Sequence, residues 1–216
     1  MKREVIADKG IWTAKKRYIL NCHDIEGVRY KTPKLKMMGI EAVKSSTPAP
    51  CRDKIKEAMN IIMNGDEKML NTFIQEFREE FMKLPPEDIA FPRSCNGVQK
   101  FRGESSLYKK GTPIHVKGAL LYNFLVEKEK LEGKYPKIQE GDKIKFINMK
   151  QPNIYQSSAF SFMTSFPKEL DLLNKIDYDV QFDKSFVEPL KFITQKMNWL
   201  IDDSYGQQGT LEDFFT

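Results

Sequence analysis

Phe73, Phe77 and Phe81 follow Met69 at four-residue intervals, with Leu70, Ile74 and Leu84 beside them. Recurrence at this spacing gathers apolar side chains on one face of an α-helix. A stripe of such bulk needs a core to receive it, so it reads as packing surface and not as a cofactor box. Ile55, Met59, Ile62 and Met63 mark a helix before it, which Gly65 ends. "SSTPAP" sets up that helix, with Ser46 or Thr47 available as N-cap and Pro48 near the first turn.

Period-two patterns flank these helices. "KRYILNCHD", the turn "EG" and "VRYKTPKLKMMGIEAV" read as a hairpin and a further strand, with Pro33 marking a break or an edge. "LPPEDIAFPRSCNG" interrupts the helical pattern with three prolines. "GTPIHVKGALLYNFLVEKEKLEG" opens a third helix, with Thr112 as N-cap, Pro113 at the first helical position and Gly133 closing it. "EGDKIKFINMK" and "QSSAFSFMTSF" read as strands; "FPKELDLLN" and "FVEPLKFITQKMNWLI" read as helices, the latter with Pro189 in its first turns. The expected class is α+β: a small antiparallel segment, then a mostly helical body with a short β insertion.

Composition narrows the function. No apolar run is long enough to span a bilayer, and "MKREVIADKG" lacks the apolar stretch of a secretory leader. Cys22, Cys51 and Cys95 are odd in number and far apart, which argues for a reducing compartment and against a disulfide frame or zinc site. Only two histidines are present, His23 and His115, which disfavours a histidine-based metal centre. The net charge of +5 is unevenly spread. Residues 1–50 carry eleven Lys and Arg against five Asp and Glu, and residues 93–117 carry six against one. Two solvated surfaces would account for this; so would two walls of a polyanion-binding groove. Charge alone does not choose.

Catalytic motifs are sparse. The chain has no Gly-rich phosphate loop, no GxSxG and no Cys–His spacing that favours nucleophilic catalysis. Asp177 and Asp179, or Asp202 and Asp203, offer carboxylates for a cation but also read as solvated helix ends. Binding features are richer. "TAKKRY" on a strand would send Lys15 and Arg17 to one face and Lys16 and Tyr18 to the other. His115 and Lys117 stand at the start of the third helix, where unpaired N–H groups and the macrodipole favour a phosphate.

"KKRY", "KLKMMGIEAVKSSTP", "PIHVKGALLYN" and "DYDVQFDKSFVEPL" occur in that order. Together they resemble the C-terminal part of the family B replicative DNA polymerases of T-even-like tailed bacteriophages, across nearly the whole chain. The resemblance implies a palm end at 1–47, a thumb domain at 48–203 and a flexible clamp-binding tail at 204–216. It implies that Lys16 reaches the minor groove beside the primer end and that Tyr18 contacts primer backbone or orders the site. Lys15 and Arg17 would support the palm and its duplex contacts. Lys44, Ser45 and Ser46 match the palm-to-thumb connection, and His115, Lys117, Tyr122 and Asn123 match the thumb segment that grips new duplex.

One departure limits this reading. Enzymes of the resembled family use two divalent metal ions, expected to be magnesium, held by palm aspartates in SLYPS- and DTDS-type motifs; neither motif occurs here, nor does a proofreading exonuclease domain. The resemblance therefore implies that this chain alone is inactive and works beside an N-terminal polymerase chain, as a split-gene subunit or as a fragment. The host cytoplasm is the implied location. The chain ends with Gln208, Leu211, Phe214 and Phe215 in the spacing Q-x-x-L-x-x-F-F. One helical turn puts the leucine and both phenylalanines on a single face, a plug for an apolar pocket. It resembles the sliding-clamp peptide of replication proteins; the rival is a tail folded onto the thumb's own core. A stand-alone, clamp-recruiting DNA-binding accessory protein is the alternative to a polymerase part.

Overall fold

The computed structural model describes residues 4–104 and 106–202. The chain forms two compact units. One is drawn from the chain up to Val43, Asp53–Glu79 and the chain from Phe186 on; the other from Lys44–Arg52 and Glu80–Ser185.

The first unit is built on β1 (Val5–Ala14), β2 (Arg17–Ile25) and β3 (Val28–Met38), antiparallel and in sequence order. β1 is a strand that the sequence reading did not foresee. Its "VIADKGIWTA" alternates poorly because Gly10 interrupts it and the pairing shifts register at three places. Glu26 and Gly27, both at positive φ, make the turn between β2 and β3. Pro33 lies on β3, an edge strand, where a missing N–H costs no ladder bond.

Ile19 faces inward from β2 and is fully buried. Helix α1 (Ala49–Asn64) adds Ile55, Met59, Ile62 and Met63 to this unit's core, and Gly65 ends it as expected, its N–H 2.7 Å from the Ile61 carbonyl. Its first bond closes from Arg52 N–H onto the Pro48 carbonyl at 3.0 Å, so Pro48 holds the cap position and neither Ser46 nor Thr47 does.

Helix α2 (Glu67–Phe81) buries Leu70, Ile74, Phe77 and Phe81, while Met69 is 55% exposed. The buried stripe thus steps by four, three and four, as 3.6 residues per turn requires. Strict steps of four drift round the helix and carry Met69 off the core. Phe77 meets Phe186 edge-on, with centroids 4.7 Å apart, and Phe73 lies 6.4 Å from the same ring. Helix α7 (Glu188–Thr194) contributes Leu190 and Ile193, has Pro189 in its first turn, and gives way to a 3₁₀ turn that stops at Asn198, at φ +57°.

The second unit holds a smaller antiparallel sheet: β4 (Phe91–Ser94), β5 (Lys143–Asn148) at its centre and β6 (Ala159–Phe162). Two short helices, α3 (Pro86–Ile89) and α4 (Val98–Phe101), flank β4 in the chain. The prolines that broke the pattern concealed β4: Pro92 sits on an edge strand, where it is tolerated.

Helix α5 (Ile114–Lys128) packs on β6. Gly118 permits this, because a Cβ there would lie 2.5 Å from Ser161 Oγ and 2.7 Å from Ser161 N. The helix starts one residue later than expected, with Pro113 at the N-cap, and ends at Lys128, well before Gly133. Thr112 instead donates its hydroxyl to the Lys109 carbonyl at 2.6 Å. Phe160, Phe162 and Phe166 form an edge-on cluster, and Tyr122 and Phe182 lie in the same unit's core.

A buried amide pair joins β5 to helix α6 (Tyr178–Phe182): Asn148 Nδ2 donates to Gln181 Oε1 at 2.7 Å, and Gln181 Nε2 donates to the Ile89 carbonyl at 2.6 Å. "FPKELDLLN", expected as one helix, forms two 3₁₀ turns, Lys168–Leu170 and Leu173–Lys175. Asp171, in left-handed conformation at φ +48°, separates them. All three cysteines are buried and unbridged; the Cys51 thiol, 3.4 Å from Ser185 Oγ, is pushed up to about 11 by burial. Among the described residues no helix is long and apolar enough to cross a membrane.

Candidate nucleic-acid interface

Lys15 and Lys16 occupy the turn between β1 and β2, where Ala14 pairs with Arg17. The alternation expected of "TAKKRY" therefore fails: both lysines belong to a turn and point where the turn sends them. Both are exposed, and Lys16 adopts φ +62°. Gly39, at φ +67°, approaches this turn so closely that a Cβ would lie 2.5 Å from the Lys16 carbonyl oxygen.

Arg17 is turned to a different task. Its Nη2 donates to Glu41 Oε1 at 2.9 Å and Oε2 at 3.0 Å, and its guanidinium carbon stands 4.7 Å from the Phe192 ring centroid. The "GIEA" block thus braces the base of the turn through Gly39 and Glu41. Tyr18, half-buried, is paired across β2 with Trp12 on one side and Met38 on the other. The lysines supply exposed positive charge on a hairpin tip, and the Arg17–Glu41 pair fixes the strand beneath it.

The second basic stretch lies in the second unit. Lys44–Thr47 forms a turn, with Thr47 N–H 3.2 Å from the Lys44 carbonyl. Arg93, on β4, donates from Nη1 to the Ser46 carbonyl at 3.2 Å. The same guanidinium acts on His115: burial foremost, and then the Arg93 charge, hold that imidazole below its ordinary value. Ser46, Arg93 and His115, distant in sequence, are thus neighbours. The sequence reading gave Arg93 no role, although it is the first cation of the 93–117 stretch. Ser45 is exposed, and Lys117 Nζ lies 5.2 Å from the Tyr108 ring centroid.

Tyr122 and Asn123 do structural work. Tyr122 is 2% exposed, donates its hydroxyl to the Pro136 carbonyl at 3.1 Å and is pushed by burial up to about 12. Asn123 donates to the Ile138 carbonyl at 2.9 Å and accepts from Ile138 N–H at 2.7 Å. Together they clamp residues 136–138 to α5; Tyr122 is buried there, while Asn123 stays half-exposed with its amide engaged by Ile138.

Asp177 caps α6, its Oδ1 accepting from Val180 N–H at 2.9 Å, which is the helix-end role. No group of three or more His, Cys, Asp and Glu that could hold a metal occurs among the described residues. Gln208, Leu211, Phe214 and Phe215 lie outside the described residues.

No family model matches the sequence. The chain is 33% identical over 228 residues to the DNA-directed DNA polymerase of Escherichia phage RB69, an alignment covering 100% of this chain and 24% of that protein. It is 32% identical over 185 residues to the DNA-directed DNA polymerase of Enterobacteria phage T4, covering 84% of this chain and 20% of the other. Among solved structures, the family B DNA polymerase of the archaeon Pyrobaculum calidifontis shares the fold with a TM-score of 0.54 at 14% identity, over 88% of this chain and 21% of its own. The chain is thus homologous to the family B DNA polymerases of phages T4 and RB69 and spans between a fifth and a quarter of their length.

Proposed function

We propose that this chain is the palm-end and thumb part of a family B DNA polymerase, which holds primer–template duplex while carboxylates on other polypeptide carry the metal-dependent chemistry. The observation that carries this reading is the homology to two phage DNA polymerases, along 100% of the chain in one case and 84% in the other. Residues 1–47 act as the palm end, 48–203 as the thumb and 204–216 as a tail that docks a sliding clamp. Lys15 and Lys16 are exposed on a braced turn, which suits contact with a backbone or groove. Ser45, Arg93, His115 and Lys117 offer a hydroxyl, two cations and a neutral imidazole within one unit, a set suited to phosphate oxygens. Such contacts hold DNA without reading its sequence, as copying demands. Arg17, Tyr122 and Asn123 act by fixing the elements that carry these groups.

Primer extension is the test. The purified chain should bind primer–template duplex with an affinity that falls steeply with salt, yet extend primers only when polypeptide supplying the rest of the polymerase is added. Extension by the chain alone would overturn the division of labour; salt-insensitive binding would overturn the phosphate contacts. Replacing Phe214 and Phe215 by alanine should abolish clamp binding and leave duplex affinity unchanged. Equal loss of both would remove the separate tail site.

A further inference from the structure

One face of the first unit's sheet is unusual for a soluble surface. Trp12, Tyr18 and Met38 are direct cross-strand partners on β1, β2 and β3, so their side chains form one row on one face. Trp12 is 66% exposed and Met38 45%. The next row on that face is Gly10, Leu20 and Lys36, and beyond it Cys22 pairs with Lys34. Ile11, Ile19 and Met37 point the opposite way, where Ile19 is fully buried. Cys22, on the aromatic face, is fully buried as well, so that face is closed at its Cys22 end and opens to solvent at the Trp12 row.

Gly10 shapes this surface. A Cβ there would lie 2.5 and 2.7 Å from two indole ring carbons of Trp12 and 2.8 Å from Leu20 Cδ2. The indole leans along the strand over the glycine and leaves its far side open. Basic groups border it: Lys15 and Lys16 on the adjoining turn, Lys34 and Lys36 on β3, with Lys34 Nζ 4.4 Å from the Tyr30 ring centroid. Aromatic rings on neighbouring strands of an open sheet, ringed by lysines, form a stacking platform for unpaired bases with cations placed for the backbone.

We propose that this face binds single-stranded nucleic acid, with a base stacked on Trp12 and a neighbouring base over Tyr18, and with Lys15, Lys16, Lys34 and Lys36 taking the phosphates. The charge favours this occupant over a protein, because four lysines around the row would have to be desolvated against polypeptide, where lysine is depleted. The site shares Lys15 and Lys16 with the duplex contacts proposed above, but Trp12, Tyr18, Lys34 and Lys36 take no part in those contacts, so the two can be tested apart.

Fluorescence of the full chain tests it, using a Trp199→Phe variant so that Trp12 is the sole emitter. An oligothymidylate of about 16 nucleotides should quench Trp12. Its affinity should fall roughly 50-fold between about 50 and 200 mM salt, as four phosphate contacts on a single strand require. Trp12→Ala should weaken this binding roughly 5- to 150-fold, while Trp12→Phe, which keeps a ring, should recover most of it. Binding of a duplex with hairpin-closed ends should be unchanged in Trp12→Ala. Oligonucleotide binding that leaves Trp12 emission untouched would overturn the proposal. So would equal weakening of the closed duplex, or a blue shift of Trp12 that follows protein concentration and ignores oligonucleotide, the mark of a protein-docking face. Failure here with intact duplex binding leaves the polymerase reading standing; loss of duplex binding alone leaves this site standing.

Discussion

The two sheets invert a simple expectation about length and burial. β1, β2 and β3 run for 10, 9 and 11 residues, yet one of their faces leaves Trp12 largely in solvent. β4, β5 and β6 have 4, 6 and 4 residues, and every residue of β6 is buried. The difference lies in what covers them. α5 descends onto β6 because Gly118 removes the one side chain that would hold it off. Strand length sets how many ladder bonds form; close approach of a helix decides whether the face becomes core.

Truncations should separate the sheets most widely. Phe160→Ala in the covered sheet is expected to cost about 3–5 kcal/mol, whereas Trp12→Ala in the open one should stay within about 1 kcal/mol. Urea unfolding with unchanged m-values checks both, and equal losses would break the contrast. Gly118→Ala comes next. Alanine improves helix propensity by about 1 kcal/mol, but its methyl meets backbone of β6, so a net loss of about 1–3 kcal/mol is expected. A gain in melting temperature would show that α5 can lift off freely.

In the open sheet, the Arg17–Glu41 pair should show a coupling of about 0.5–2 kcal/mol in a double-mutant cycle. Its partners keep 30% and 21% exposure, which limits the gain. The smallest effect concerns His115. Its folded-state pKa lies below the unfolded value, so the folded state binds fewer protons between the two. The stability it contributes is complete above the unfolded value and is lost as pH falls through the folded one. Thermal melts at decreasing pH should show this loss, and His115→Gln should remove it. Arg93→Gln should move the imidazole back toward its ordinary value, seen by NMR titration. A bound phosphate would act the same way, so duplex affinity should rise as pH falls.

How much of this was readable beforehand follows the same physics. α1 and the interior of α2 were legible because their cores repeat at helical spacing. β5 and β6 were legible from apolar alternation. β1 and β4 were missed, since Gly10 and Pro92 are strand breakers that sheet edges tolerate. "KKRY" was recognised as a block, but its lysines were assigned to a strand. Their conformation depends on Ala14 pairing with Arg17, a partnership that local sequence cannot display before β1 is known. Tyr122 and Asn123 were read as contacts because a polar group on a helix looks alike whether it meets DNA or the chain's own carbonyls. Arg93 was overlooked for the converse reason: its partners, Ser46 and His115, are brought to it only by folding.

Lys16 carries a consequence for anyone engineering this protein. A lysine at φ +62° is disfavoured relative to glycine by roughly 1 kcal/mol. Lys16→Gly should therefore harden the hairpin against heat while discarding one of its two tip charges. A library sorted only for thermal endurance would drift toward glycine at this position and shed a cation on which the proposed nucleic-acid contact relies. Selection for binding would have to accompany selection for robustness, because here the two pull one codon in opposite directions.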